Sequence, residues 1–216
     1  MEASTSVSDD EELLDYVVIL EFKTTCWDKG MEPLPRLQEI IEFPALLVNT
    51  FSGEIVSEFH EFVKPDVHRR ISKLCKHLTS LHQDTINDSS PLIDVIGRHI
   101  DWLKKNDLEV TPGDGGKKFS YVTLGDENLK TILPKQLNFH GPLWMCLMLP
   151  CFQRSLDIQM IFAELVVFEL GISKMLKKLT LSFSGQPHSG IDACKNMHRI
   201  LYQLIKRGWK ASFPND

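Results

Sequence analysis

Long hydrophobic runs are missing from this sequence. The longest apolar stretch, Leu143 to Phe152, is interrupted by Pro150 and reaches about half the roughly 20 residues that a membrane-spanning helix needs. No basic segment precedes an apolar stretch near the N-terminus, so the sequence predicts no secretory signal. These absences favour an intracellular protein, of the cytoplasm or the nucleus, that makes no membrane contact.

Patterned cysteines and common catalytic motifs are missing as well. The five cysteines are odd in number and scattered, which favours reduced thiols over a disulfide framework. No Cys/His spacing resembles a zinc site, and no Ser-His-Asp, Walker or CxxC pattern is present. The sequence therefore excludes zinc-finger, P-loop and dithiol chemistry as first hypotheses.

The composition that remains is that of a globular domain. The chain has 216 residues, 43% hydrophobic and 25% charged, which suits one large domain with its own core. Residues 1–12 are small, polar and acidic, and predict a disordered tail before a domain over residues 13–212. The net charge is −5, yet residues 173–210 hold eight Lys and Arg side chains against Asp192 alone. Such a basic flank faces a nucleic-acid backbone in some proteins and only solvent in others, and both interpretations stay open.

The chain is organised around the stretch from Tyr16 to Cys26. Its short β-branched run predicts a buried central strand over residues 16–23. Side chains on a strand repeat every two residues, so Glu21 and Lys23 are expected on one face. Several metal-dependent nucleases present two carboxylates to Mg²⁺ from a strand that ends in acid-x-acid. Here the second acid is a lysine.

The remaining pattern predicts an α/β fold, with a mixed five-stranded sheet flanked by helices. A hairpin turn at Gly53 and a helix that stops before Pro134 are part of this prediction. The predicted strands cover residues 16–23, 38–49, 54–64, 119–124 and 155–159, and the predicted helices cover 71–82, 91–105, 126–133, 160–170, 173–179 and 191–207.

Several motifs carry a family resemblance. They are QEIIEFP (38–44), SEFHEFVKP (57–65), VTLGDENLKTILP (122–134), FQRSLDI (152–158) and GQPHSGIDACKN (185–196). In this order they resemble the Eri-type 3′→5′ exoribonucleases, the RNA-trimming branch of the DEDDh exonucleases. The family usually has a Trp where Ser155 stands. The resemblance implies an RNase H-like fold and hydrolysis assisted by Mg²⁺ or Mn²⁺.

The same resemblance shows a degenerate catalytic site. The family's four metal-binding acids fall on Glu21, Lys23, Asn128 and Ala193, so three of the four are replaced. The general-base histidine is retained as His188. The family's E-L-T-G-I, which helps seat the RNA 3′ end, reads His77-Leu78-Thr79-Ser80-Leu81.

The replacements remove the negative charge that two divalent ions require. Glu21 and Lys23 cancel, and the other two positions are neutral. A Lys ammonium about 4 Å from a divalent ion is repelled by roughly 8 kcal/mol at an effective dielectric of 20. We therefore expect no metal ligands and no cofactor, and Lys23 to pair with Glu21. Rescue by Asp126, Glu127 or Asp192 is the alternative, although a one-residue shift on a helix turns a side chain by about 100°.

Three functional hypotheses follow. The first is a pseudo-exonuclease that acts as a protein-interaction scaffold in an RNA-processing or small-RNA pathway, through a protein partner or a homodimer. An apolar loop supplies its candidate surface, or else packs as satellite core: Leu143, Trp144, Met145, Leu147 and Met148. The second is a metal-independent RNA binder with candidate contacts at Lys23, Lys177, Lys178, His188, Lys195 and Arg199. The third is a live Mg²⁺- or Mn²⁺-dependent exonuclease with rearranged ligands.

Overall fold

A computed structural model describes residues 13–28 and 37–213 of the chain. The acidic tail predicted over residues 1–12 lies outside these residues. Among the described residues, no helix combines the length and the hydrophobicity needed to cross a bilayer.

One mixed sheet forms the centre of the fold, with the strand order β5-β4-β3-β1-β6-β7 and β2 beside β3. β1 pairs antiparallel with β3 and parallel with β6, and β7 pairs parallel with β6 at the edge. The strands are β1 (Tyr16–Leu20), β2 (Lys23–Thr24), β3 (Ile40–Asn49), β4 (Ile55–Lys64), β5 (Ser90–Pro91), β6 (Phe119–Thr123) and β7 (Ser155–Asp157).

Helices cover both faces of this sheet. They are α1 (Lys73–Thr79), α2 (Gln83–Asn87), α3 (Leu92–Lys105), α4 (Leu133–Phe139), α5 (Pro142–Met145), α6 (Ile158–Leu165), α7 (Ile172–Lys178) and α8 (Gly190–Lys206), with a π-helix over Asn128–Ile132 and a 3₁₀-helix over Pro150–Gln153. Val18 and Leu20 of β1 point into the core under α3 and α4, while Val17 and Ile19 point into the core under α6, α7 and α8. Strand β1 is therefore buried on both sides, which explains its unbroken apolar run.

The predicted α/β class is confirmed, and each of the five predicted strands is present. The sheet also includes two strands of two residues each, β2 and β5, which are too short to leave a periodic signal in the sequence. The hairpin at Gly53 is present, with φ of +73°. These additions change the strand count without changing the topology.

Several predicted boundaries were wrong, and three elements show why. The first strand ends at Leu20, and Lys23 belongs to β2, which pairs with β3 across a bulge. The helix predicted to stop before Pro134 continues to Phe139, because Pro134 lies in the first turn of α4, where no N–H is required. The helix predicted over residues 160–170 starts at Ile158, where the Asp157 side chain caps it, and ends at Leu165.

Candidate active-site cleft

A cleft of about 300 Å³ opens where β1 ends. The β1–β2 junction, the π-helix, α1 and the turn before α8 form its walls. Its lining residues are Glu21, Phe22, Lys23, Thr24, Cys26, Gln38, Leu78, Thr79, Leu124, Glu127, Asn128, Ile132 and His188. Four of the five catalytic positions assigned by the resemblance line this cleft, and Ala193 is the fifth.

Glu21 is held from both sides. Its Oε1 lies 3.2 Å from Lys23 Nζ, and its Oε2 accepts a hydrogen bond from Asn128 Nδ2 at 2.9 Å. The two charged side chains are only 15% and 20% exposed, so solvent screens this pair less than it screens a surface pair. Both carboxylate oxygens therefore have partners within the protein.

Asn128 is the buried member of this network. Its side chain is 4% exposed, and its Oδ1 accepts a hydrogen bond from the backbone N–H of Phe22 at 2.8 Å. This bond fixes the orientation of the amide, because the backbone N–H can only donate. The Asn128 nitrogen then faces Glu21, and its oxygen is already used. We call the set Glu21, Lys23, Asn128 and the Phe22 N–H the cleft network.

The turn that carries His188 is fixed against the sheet. Glu42 of β3 is 2% exposed and accepts hydrogen bonds from the backbone N–H groups of Gly190 and Ile191 at 2.8 and 3.0 Å. The other face of Glu42 meets His60, whose Nε2 lies 2.9 Å from Oε1. A side chain on Gly190 would stand 2.9 Å from the carbonyl oxygen of Glu21, so only glycine allows α8 to start this close to β1.

His188 itself has φ of +67°, which is uncommon for a residue with a side chain, and it lines the cleft. Ala193 lies on the first turns of α8 and is 4% exposed. Its methyl group supplies no ligand, so the position predicted to have lost its acid contributes packing only.

Of the three acids offered as alternative metal ligands, two have partners within the protein and one lines the cleft. Asp126 forms an ion pair with Lys130 at 2.9 Å, and Asp192 accepts a hydrogen bond from the Gln186 backbone at 2.8 Å. Glu127 lines the cleft with an exposed side chain. Across residues 13–28 and 37–213, no group of three or more His, Cys, Asp or Glu side chains is placed to hold a metal ion.

The cleft offers no thiol nucleophile. Cys26 lines it, but burial raises the pKa of the Cys26 thiol to about 12, with the neighbouring Cys75 adding to the shift. The thiolate form is therefore negligible at neutral pH.

The structure brings together only two of the six candidate nucleic-acid contacts. Lys23 and His188 line the cleft, whereas Lys177 and Lys178 lie on α7 and Lys195 and Arg199 lie on α8. Three of the four helical cations are engaged elsewhere. Lys178 lies 3.5 Å from Glu169, Lys195 lies 3.2 Å from Glu58, and Arg199 donates to the Ser182 carbonyl at 2.8 Å.

The candidate partner loop divides into two parts. Trp144, Leu147 and Met148 pack on the core under α3 and α4, and Trp144 stacks on His140 with the ring centroids 4.2 Å apart. Leu143 and Met145 point outward and are 87% and 36% exposed. Both interpretations of this loop therefore hold, each for different residues.

Comparison with known proteins places this architecture. The exonuclease family model matches residues 18–201 of the chain. ERI1 exoribonuclease 3 of Mus musculus is 34% identical over 199 residues, which cover 90% of this chain and 55% of that protein. The chain is an Eri-type member of the exonuclease family. The Eri-type domain also resembles the 3′-5′ exonuclease Snipper of Drosophila melanogaster, at 29% identity over 93% of this chain and 73% of that protein.

Solved structures agree with this assignment. The nuclease domain of 3′hExo, a DEDDh family member bound to rAMP, superposes with a TM-score of 0.83 at 27% identity, over 95% of this chain and 99% of that chain. Cell-death related nuclease 4 superposes with a TM-score of 0.78 at 25% identity, over 93% of this chain and 67% of that one. The Eri-type domain thus has the RNase H-like fold of DEDDh exonucleases. It spans about half the length of the ERI1-type relatives that it matches.

The cleft network does not match the donor set that Mg²⁺ or Mn²⁺ requires. Mg²⁺ needs hard oxygen ligands and draws affinity from carboxylate charge. Of the two cleft carboxylates, Glu21 has both oxygens occupied by Lys23 and Asn128, and Glu127 is the other. The residues present therefore favour an internally satisfied cleft over one that recruits a pair of ions.

Proposed function

We propose that this Eri-type domain does not hydrolyse RNA and serves as a protein-interaction scaffold in an RNA-processing or small-RNA pathway. The observation that carries the first half is the cleft network, in which Lys23 and Asn128 occupy both oxygens of Glu21. A divalent ion would have to displace a cation and a hydrogen bond before it reached the carboxylate. At about 4 Å from the ion, Lys23 alone opposes its entry by roughly 8 kcal/mol at an effective dielectric of 20.

Two exposed apolar surfaces support the scaffold role. The first comprises Phe139, Leu143 and Met145, which are 56%, 87% and 36% exposed. The second begins at the last residue of α6 and was not identified from the sequence, which predicted a helix over residues 160–170. Its members are 39%, 37%, 41%, 58% and 55% exposed, in the order Leu165, Val166, Val167, Phe168 and Leu170. Large exposed apolar patches commonly mark contacts with other proteins.

Restoring the acids tests the catalytic half of the proposal. The variant K23E/N128D/A193D regains all the acids that the resemblance assigns, on the same fold. We expect Mn²⁺ at millimolar concentration to raise the melting temperature of this variant and to support 3′→5′ trimming of a labelled single-stranded RNA. The unmodified domain should show neither effect. Metal-dependent trimming by the unmodified domain, abolished by H188A, would establish the active alternative and end the proposal.

The scaffold half is tested at the exposed surfaces. L143D and V167D/F168D place charges on the two patches, and V56D, at another exposed apolar position of 53% exposure, is the matched control. We expect at least one patch variant, and not V56D, to lose a cellular protein partner or self-association measured by light scattering. Unchanged partners and unchanged mass for both folded patch variants would rule out these surfaces.

Metal-free RNA binding in the cleft is a second candidate function, favoured by a cation and an imidazole that line the same cavity. It predicts that single-stranded RNA binds in EDTA and that K23M/E21Q, which removes the charged pair together, weakens the binding. Equal affinity of this variant and the unmodified domain would dismiss it.

A further inference from the structure

A second cavity, of about 520 Å³, lies outside the cleft and is lined by cations. Its lining residues are Arg69, Arg70, Ile71, Lys76, Gln83 and Asn87. No carboxylate is among them. Residues 64–77 hold five Lys and Arg side chains against Asp66 alone, and form a second basic segment apart from residues 173–210.

Four of the five cations of this segment have no carboxylate partner in the part of the chain that the structure describes. Arg69, Arg70, Lys73 and Lys76 are all exposed, and within the described ranges none of them forms an ion pair with a carboxylate. The one acid in the segment, Asp66, faces away toward His140, with Oδ2 3.4 Å from Nε2. A surface patch of cations without carboxylate partners attracts an anionic ligand.

The backbone under these cations is fixed in place. Gln83 of α2 donates to the Arg69 carbonyl at 2.7 Å and accepts from the Ile71 N–H at 3.1 Å. Lys64 Nζ donates to the Asn87 carbonyl at 2.6 Å, which brings another cation to the rim. A loop held by Gln83 at two points presents its arginines with less loss of backbone entropy on binding.

Helix α1 connects this patch to the cleft. Lys76 lines the basic cavity, while Leu78 and Thr79 of the same helix line the cleft. α1 carries Lys73, Lys76 and His77 and no acid, and His77 stands where the family resemblance places a glutamate. The wall of the cleft formed by α1 is therefore continuous with a surface of positive charge.

We propose that Arg69, Arg70 and Lys76, with Lys64 at the rim and Lys73 one helical turn earlier on α1, form a binding site for the phosphate backbone of a single-stranded nucleic acid. Guanidinium groups bind phosphate oxygens through paired hydrogen bonds, and lysines add point charge. An array of cations along a loop and a helix fits a repeating polyanion better than a single phosphate group, and it lies beside the cleft of a nuclease fold. The site reads no sequence, because phosphate contacts carry none.

The test is fluorescence anisotropy with a labelled 20-nucleotide RNA in EDTA, over a series of salt concentrations. We expect R69A/R70A to weaken binding at least tenfold at low salt and to reduce the slope of log affinity against log salt by about 1.4, since each phosphate contact on a single strand contributes about 0.7. R69K/R70K should retain most of the affinity. K104A/K105A, which removes an exposed pair at the far end of α3, should change it less than twofold.

Other outcomes overturn the proposal. Equal weakening by K104A/K105A would mean that net charge alone attracts RNA. Binding of a phosphorylated peptide or of phosphatidylserine vesicles, lost in R69A/R70A while RNA binding is unchanged, would assign the site to another ligand. Binding at this site and hydrolysis in the cleft can fail independently, because binding in EDTA and RNA trimming are measured separately.

Discussion

Replacing Asn128 with aspartate restores an acid of the family. Without a bound metal ion, this substitution should lower the free energy of unfolding. In N128D, the new carboxylate keeps an acceptor for the Phe22 N–H but turns its second oxygen toward Glu21, where the amide nitrogen now stands at 2.9 Å. A charge-assisted hydrogen bond worth about 1.5–3 kcal/mol is lost. Two carboxylates about 4 Å apart also repel by roughly 4 kcal/mol at an effective dielectric of 20.

Several effects limit this penalty. Lys23 lies 3.2 Å from Glu21, the Phe22 N–H binds a carboxylate more strongly than an amide oxygen, and the two carboxylates can share one proton. We therefore expect N128D to lose about 2–4 kcal/mol of unfolding free energy at pH 7.5 in EDTA. Repulsion between the two carboxylates raises the pKa of the carboxyl pair in the folded variant. The folded state then binds more protons than the unfolded state, so the loss shrinks as the pH falls toward 5.

Urea denaturation at pH 7.5 and pH 5, in EDTA, measures both the loss and its pH dependence. N138D is the matched control, because Asn138 is exposed on α4 and carries the same substitution without the contact. It should change stability by less than about 0.5 kcal/mol. If N128D were as stable as N138D at both pH values, Asn128 would not hold Glu21, and the argument for an internally satisfied cleft would fail.

Three further predictions concern the stability of the fold around the cleft. Burial lowers the pKa of His99 to about 3, so the folded state holds the neutral imidazole. The free energy of unfolding therefore falls as the pH drops below the unfolded-state pKa of about 6.5. Between pH 7 and pH 4, H99Q should lose roughly 2–3 kcal/mol less unfolding free energy than the unmodified domain, measured by urea denaturation. G190A should destabilise by about 1–3 kcal/mol because its methyl meets the Glu21 carbonyl, whereas G97A, with open space around it inside α3, should stabilise slightly in the same thermal assay. E42Q should cost about 2–3 kcal/mol, since an amide hydrogen would face an N–H at the start of α8, while E58Q at the surface should be near neutral in urea titrations.

Sequence patterns were sufficient to find β1 and β3, because burial on both faces of these strands leaves long apolar runs. They also identified Glu21 and Lys23 as neighbours, although for an incomplete reason. The two residues do not share a strand, and their pairing depends on the break at Phe22, which Asn128 holds from a segment 106 residues away. A contact over that separation leaves no local periodicity to detect.

The distribution of charge along the chain did not predict which cations lie together in the fold. The basic residues of 173–210 are numerous but spread over α7 and α8, so they do not gather at the cleft. The cations of residues 64–77 are fewer, yet a loop and a helix bring three of them, Arg69, Arg70 and Lys76, to one cavity. The three-dimensional path of the backbone, and not the density of charge in a window, decides which cations act together.

The anchoring of α8 by Glu42 has a consequence for the history of such a site. Because a carboxylate of β3 already satisfies the two leading amides of that helix, the turn bearing His188 keeps its position whether or not ions are nearby. Chemistry and architecture are supported by separate groups. A lineage can therefore lose its catalytic acids one at a time while the chain still folds. The folded domain can then take on a function other than hydrolysis.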